Sequence, residues 1–309
     1  MTGILNIYKP LGLTPVQLIN KLRKERSELN NLKIGFAGRL DPLAHGVILM
    51  MIGEETKNRD KYLGLDKEYE FEVLFGVTTD TYDALGLITS SSSEQSESRS
   101  NKIIQQFNNS TASRQAPTNR DPDQIGARTM NFEGQIKNFI KSKIGKQIQL
   151  YPPYSSKEIN GKPLYQWARE NKLSEIQIPE KEIVIYSIEL ISIQSKSADF
   201  IKNKITKNIN RVDGDFRQEE ILNKWESFFS FYSSSGALVE SRSNSSPQGR
   251  TLNIKNTFSV AKFKINCSSG TYIRSLANNL GEISGSGAIA LSILRTRVGE
   301  NVLEDSIRL

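Results

Sequence analysis

The chain has 309 residues, with 41 Lys plus Arg against 34 Asp plus Glu and a formal net charge of +7. That excess points to an anionic partner, with nucleic acid ahead of a membrane surface: no basic amphipathic helix leads into an apolar span, and no run approaches the roughly 18 apolar residues a transmembrane helix needs. One cysteine, Cys267, rules out an intramolecular disulfide and fits a reducing cytoplasm, and one histidine, His45, leaves no separate Cys/His dyad or His-rich metal cluster to build, so neither metal nor cofactor is expected.

The N-terminus lacks the features of a signal peptide and runs into a strand over residues 3 to 8, with Lys9-Pro10-Leu11-Gly12 as a turn. Thr14-Pro15-Val16-Gln17 has the form of a capping box with Pro at the first helical position, and Val16, Ile19 and Leu22 continue at helical spacing. The stretch Gly35 to Gly46 then isolates one carboxylate, Asp41, among glycines and apolar residues. Its glycines permit sharp turns and Pro42 fixes the next residue, so the loop is able to hold Asp41 in one pose. On these residues alone two readings stand: an Asp in an ordinary tight turn, and a held nucleophile.

Val47 to Gly53 is an apolar run of strand length, and Tyr69, Phe71, Val73 and Phe75 alternate with Glu68, Glu70, Glu72 and Leu74 as a half-buried strand does. From Ser90 to about Asn131, polar residues and Pro dominate, which reads as a flexible or loosely helical insertion. Ordered signals resume at Phe132, with a helix over Tyr165 to Arg169 and a strand over Ile183 to Ile193. A second polar stretch, about Lys196 to Asn256, also reads as inserted, with Ile221, Leu222, Trp225, Phe228 and Phe229 marking one amphipathic helix within it. Ala261 to Cys267 alternates as a strand, and Ser268-Ser269-Gly270-Thr271 turns into a helix carrying Ile273, Leu276, Ala277, Leu280 and Ile283, with Tyr272 and Arg274 at the junction. Leu291 to Val302 closes the chain as a strand.

Several of these segments, in this order, carry a resemblance. The Gly35 to Gly46 loop, Lys67-Glu68-Tyr69, the run Gly76 to Gly86 with Thr79-Asp80-Thr81, the Tyr154-Ser155-Ser156-Lys157 segment and Cys267 to Arg274 together resemble the TruB family of tRNA pseudouridine synthases over roughly residues 3 to 89, 132 to 195 and 257 to 309. The resemblance implies an α+β pseudouridine synthase fold: a mixed, mostly antiparallel central sheet flanked by helices, in a single catalytic domain spanning residues 1–309 and carrying the two polar insertions. It further implies isomerisation of a uridine in the T-arm of tRNA, at the position usually written 55, by a monomer with neither cofactor nor guide RNA.

Residue by residue, the resemblance makes Asp41 the nucleophile, attacking either the ribose C1′ or the uracil ring. Tyr69 matches a tyrosine that stacks on the flipped base, although its alternating strand alone describes an ordinary core aromatic. Arg274 matches an arginine that pairs with the catalytic aspartate; a cation at a helix N-terminus is otherwise poorly placed, which itself calls for an anionic partner. Tyr272 matches a tyrosine of the same pocket and Leu294 an apolar residue near the base. Lys9, Lys57, Arg39, Lys157 and Lys162 are candidate phosphate contacts, each equally readable as a solvated charge. Asp80 is expected to fix the active-site loop or the RNA.

The chain departs from the family pattern in three places. Phe36 stands where many bacterial members carry a histidine that contacts the T-loop; a phenyl ring stacks on a base but donates no hydrogen bond. His45 follows the loop alanine where the family has a small or polar residue, and the two insertions are longer than a compact bacterial enzyme needs, the basic second one reading either as an extra RNA-binding arm or as a disordered segment. The chain also ends near the end of the family's catalytic domain, so no C-terminal PUA domain is expected. The competing expectation is an RNA-binding or RNA-folding protein of the same fold in which catalysis has lapsed.

Overall fold

The computed structural model describes residues 2–89, 132–235 and 257–309. The insertion expected at about 90 to 131 lies outside the described residues. In chain order the elements are β1 (Gly3–Lys9), α1 (Pro15–Glu25), β2 (Ile34–Ala37), β3 (Ala44–Ile52), α2 (Arg59–Leu63) and β4 (Lys67–Phe75). Then follow α3 (Phe132–Lys143), β5 (Gly145–Leu150), the short pair β6 (Glu158–Ile159) and β7 (Lys162–Pro163), α4 (Leu164–Arg169) and β8 (Glu180–Ser197). The last are α5 (Ala198–Ile209), α6 (Gln218–Ser235), β9 (Thr257–Cys267), α7 (Ile273–Ser284), β10 (Ala288–Val298) and β11 (Asn301–Val302).

Local chemistry explains the boundaries. Thr14 accepts from the Gln17 amide at 3.3 Å while the Gln17 side chain accepts from the Thr14 amide at 2.7 Å, a reciprocal cap that starts α1 at Pro15. Helix α7 stops at Gly285, whose left-handed φ of 69° suits a residue without Cβ.

One sheet runs β1-β3-β10-β4-β9-β8-β5, with β2 added on β3 and β11 on β10; only the β3–β10 pair is parallel. This is the mixed, mostly antiparallel sheet of an α+β fold. On one face Tyr69, Phe71 and Val73 pack with Phe263 and Ile265 beneath Ile136 and Phe139 of α3 and Leu276 and Leu280 of α7. The Phe71 and Phe263 rings stack at 5.1 Å.

The other face holds more of residues 196 to 235 than the one amphipathic helix expected there. Strand β8 continues to Ser197, and α5 and α6 follow as two helices whose Ile201, Ile205, Ile209, Ile221, Trp225 and Phe229 are buried against Leu74, Val260, Ile289 and Leu291. Each side chain buried this way is worth about 1.5–3 kcal/mol, which an RNA-seeking polar arm would forgo. Spacing hid the first helix: three isoleucines four residues apart give a single apolar stripe in an otherwise Lys- and Asn-rich segment. Residues 236 to 256 lie outside the described residues.

Candidate active site

Asp41 sits in the loop between β2 and β3, at the seam where β3 runs parallel to β10. Close approach at that seam demands Gly46: a Cβ there would lie 2.2 Å from the Arg295 carbonyl oxygen, and its φ is 109°. Two buried cations hold the loop by its backbone. Lys9 Nζ donates to the Ala44 carbonyl at 2.6 Å and to that of Pro10 at 3.1 Å, and Arg295 donates through Nε to Val47 at 2.6 Å and through its two Nη atoms to Arg39 and Gly38 at 3.4 Å each. Burial, with Asp41 opposing and Arg295 adding to it, pulls Lys9 down to about 7.

Across the loop, Arg274 Nε donates to Asp41 Oδ2 at 2.7 Å, joining residues at opposite ends of the sequence. The Arg274 side chain is 4 % exposed and the Asp41 side chain 38 %, so the arginine forms the floor and the carboxylate remains open to a ligand. The rest of the guanidinium is used as well: Nη1 donates to the Thr81 carbonyl at 2.5 Å and Nη2 to that of Tyr154 at 3.2 Å, while Asp83 Oδ2 lies 3.7 Å from Nε. Burial works against this arginine's charge, and Asp41 and Asp83 more than offset it, so its pKa rises. Asp83 is pushed up to about 6 by burial, which Arg274 only partly counters.

Asp83 belongs to a tightly folded loop after β4. Tyr82 adopts a left-handed φ of 64°, unusual for a bulky residue, and its carbonyl accepts from Ala290 at 2.9 Å. Gly86 is required here: a Cβ would fall 2.3 Å from Thr81 Oγ1 and 2.6 Å from Asp80 Oδ1. Asp83 Oδ1 accepts from Thr81 Oγ1 at 2.7 Å and from the Leu85 amide at 2.9 Å, so its remaining oxygen faces Arg274.

Around Asp41 opens a cleft of about 360 Å³ lined among others by Tyr69, Tyr151, Tyr154, Tyr272, Ile293 and Arg295. Tyr272 is fixed from β5, since Gln149 accepts from its amide at 2.8 Å and donates to its carbonyl at 3.1 Å. Its ring meets that of Tyr151 edge to face at 5.6 Å, and burial followed by the charge of Asp41 pushes its phenol up to about 12. Tyr69 is buried, which raises its phenol pKa against the opposing charge of Arg295. Aromatic walls of this kind around the Asp41–Arg274 pair suit a flat ring. Among the described residues, no group of three or more His, Cys, Asp or Glu side chains converges as a metal site would.

The model of the TruB family pseudouridylate synthase N-terminal domain matches residues 26–120 and 115–209, which together make up more than half of the chain. The chain belongs to the TruB family. Proteins named tRNA pseudouridine synthase B are similar over nearly its whole length: that of Alkaliphilus oremlandii is 28 % identical over 307 residues, 99 % of this chain and 68 % of the relative. That of Clostridium kluyveri is 26 % identical over 309 residues, 100 % of this chain and 71 % of the relative. Among solved structures, a chain in the crystal structure of a Cbf5-Nop10-Gar1 complex shares the fold at a TM-score of 0.50 and 17 % identity, covering 99 % of this chain and 52 % of that one.

Within this TruB chain, the structure brings Asp41, Tyr69, Arg39, Tyr272 and Arg274 into one cleft. Three other expected residues fall elsewhere. Lys9 is fully buried beneath the loop with its ammonium on carbonyls, so it is not a phosphate contact. Leu294 does not line the cleft; strand alternation along β10 turns Ile293 and Arg295 inward instead, a shift of one residue from the expected position. Phe36 lies half-buried on β2 against the cluster of Ile7, Leu18 and Ile48, outside the cleft lining, with the Arg39 guanidinium 5.8 Å from its ring centre.

The remaining cations are peripheral. Lys57 is exposed and paired with Glu54, Lys157 lies 5.7 Å over the Tyr151 ring at the cleft edge, and Lys162 pairs with Glu170. His45 does not line the cleft, its Nδ1 lies 3.1 Å from the Tyr8 hydroxyl, and burial pulls it down to about 4. Asp83, Gln149, Tyr151, Ile293 and Arg295 were not among the expected site residues. Arg295 stood only within the expected closing strand, Leu291 to Val302, and Asp83 only within the Gly76 to Gly86 run.

Proposed function

We propose that this chain isomerises uridine to pseudouridine in tRNA, in the T-loop at the position usually written 55, by flipping the base into the cleft and using Asp41 as nucleophile. The N1–C1′ bond breaks and a C5–C1′ bond forms, while C5 loses a proton and N1 gains one, so the reaction balances without a co-substrate. The observation that carries this reading is the pairing of Asp41 with a buried arginine at the base of a tyrosine-walled cleft. Arg274 fixes the carboxylate, and one Asp41 face stays open to the sugar or the ring. Tyr69 and Tyr272 supply stacking surface for a base removed from its helix, a removal that costs a few kcal/mol.

The names of the relatives favour tRNA over other RNAs. The net charge of +7 suits a polyanion, and the exposed Arg39 at the cleft is the cation best placed to meet its backbone. In this reading the protein works in the cytoplasm as a monomer without a guide RNA. Among the described residues, no helix is long and apolar enough to cross a membrane.

Purified protein alone, given an unmodified tRNA transcript labelled with tritium at uridine C5, is expected to release tritium, and Asp41→Asn to abolish release while tRNA binding persists. Release by that variant at the wild-type rate would overturn the assignment of Asp41. Binding of tRNA by the wild type with no pseudouridine in any transcript would favour the lapsed RNA-binding protein of the same fold.

A further inference from the structure

The segment carrying α5 and α6 reaches the loops around the active site at two places. Within α6, Trp225 Nε1 donates to the Ala84 carbonyl at 3.1 Å, from a side chain that is 1 % exposed. At the turn before α6, Arg217 Nη2 donates to Asp80 Oδ2 at 3.0 Å, and its guanidinium carbon lies 4.9 Å over the ring of Tyr154. Both contacts land on the segments whose carbonyls hold Arg274: Asp80 precedes Thr81, and Tyr154 is itself the second carbonyl partner.

Arg217 is held for this contact at some conformational expense. Its φ is 62°, a left-handed value that a residue with a Cβ rarely adopts, and a backbone of that kind persists only where its surroundings fix it. Here they do: Asp215 accepts from the Arg217 amide at 3.3 Å, Gln218 accepts from that of Phe216 at 2.8 Å, and Gln218 also donates to the Val212 and Gly214 carbonyls at 3.1 and 2.6 Å. At the far end Asp80 is oriented as well, its Oδ1 accepting from the Leu87 amide at 2.8 Å and its Oδ2 from Arg217. A planar guanidinium is suited to this double duty, pairing in its plane and stacking on its face, and a lysine is not. The side chains of the pair are about one-fifth exposed, 21 % and 20 %, so this is not a freely solvated surface ion pair.

We propose that Arg217, supplied by the α5–α6 segment, is a positioning residue that braces the Asp80 loop and Tyr154 and through them fixes the Arg274–Asp41 pair. The inference rests on the function proposed above. Its test starts from Arg217→Gly, which removes the side chain at a backbone conformation that glycine adopts freely, so folding is retained. The single-turnover rate of tritium release at saturating tRNA is expected to fall tenfold or more, with the tRNA dissociation constant within about twofold. Arg217→Lys is expected to recover only part of the rate. In a Tyr154→Ala, Asp80→Asn background, Arg217→Gly is expected to cause little further loss, because the groups it acts through are already gone.

A readout independent of catalysis separates this proposal from the function on which it rests. With 3-fluorotyrosine placed at position 154, the fluorine resonance is expected to shift or broaden in Arg217→Gly, whether or not the wild type makes pseudouridine. An unchanged saturating rate with weakened tRNA binding would make Arg217 a phosphate contact and overturn the proposal. An unmoved resonance together with an unchanged rate would overturn it equally.

Discussion

Replacing Arg274 by lysine keeps the charge and removes the geometry, and the structure sets the size of the loss. The guanidinium spans three acceptors from a nearly buried position: Asp41 Oδ2 at 2.7 Å, the Thr81 carbonyl at 2.5 Å and the Tyr154 carbonyl at 3.2 Å. One ammonium on a flexible stem is able to follow Asp41 or the carbonyls, not the whole set. Each hydrogen bond to a charged group contributes about 1.5–3 kcal/mol, so up to two lost contacts remove roughly 3–6 kcal/mol from this network, an upper bound because they are shared. If about 2.7–4 kcal/mol of that appears in the barrier, as for loss of one preorganised donor, the rate falls by roughly 10²–10³. The assay is single-turnover tritium release at saturating tRNA, with filter binding to show that the complex still forms and a thermal melt to show that the variant is folded. A folded Arg274→Lys protein working within threefold of the wild type would refute the view that guanidinium geometry holds Asp41.

Asp83 gives a pH signature. Burial raises it from 3.8 to about 6, so the folded protein holds this proton more tightly than the unfolded chain, and its contribution to stability falls as pH rises from about 4 to about 6 and is flat above. Asp83→Asn is expected to remove that slope from the melting temperature against pH; an unchanged slope would exclude Asp83 as its source. Ile293→Ala is expected to slow release at least tenfold and Leu294→Ala less than threefold, since only Ile293 lines the cleft; the reverse order would restore the sequence-based assignment. Arg39→Ala is expected to weaken tRNA binding and lower its salt slope by about 1, as loss of a phosphate contact does, whereas Lys9→Met is expected to leave the slope alone and destabilise the fold by about 1–3 kcal/mol, read from a denaturant midpoint.

Elements with a strict period were legible before the structure. The alternation from Tyr69 to Phe75 gave β4 within two residues, and Thr14 with Gln17 gave the start of α1, because each signal is local and complete. The helix at residues 198 to 209 was missed for the converse reason, while the one marked by Ile221 to Phe229 was found. A helix needs one apolar residue per turn on its buried face, so α5 keeps a sufficient stripe while its composition stays that of a solvated arm. Composition averages around a helix, whereas burial depends on one side of it.

The site divides along the same line. Asp41, Tyr69, Tyr272 and Arg274 were legible because motifs with a recognisable order carry them. Lys9, Leu294 and Arg295 depend on which way a strand faces, and a single register step decides that: β10 makes its two register shifts against β4 between Ala290 and Ser292 and between Arg295 and Arg297, on either side of the Ile293–Arg295 stretch. Lys9 shows the stronger limit. A lysine beside a proline turn in a basic chain reads as a phosphate ligand, yet the Asp41 loop presents the Ala44 carbonyl to it and the turn after β1 that of Pro10, and a buried carbonyl without a donor is costly. The cation is therefore spent on the backbone that carries Asp41, and under the proposed function the RNA is met by charges farther out, such as Arg39.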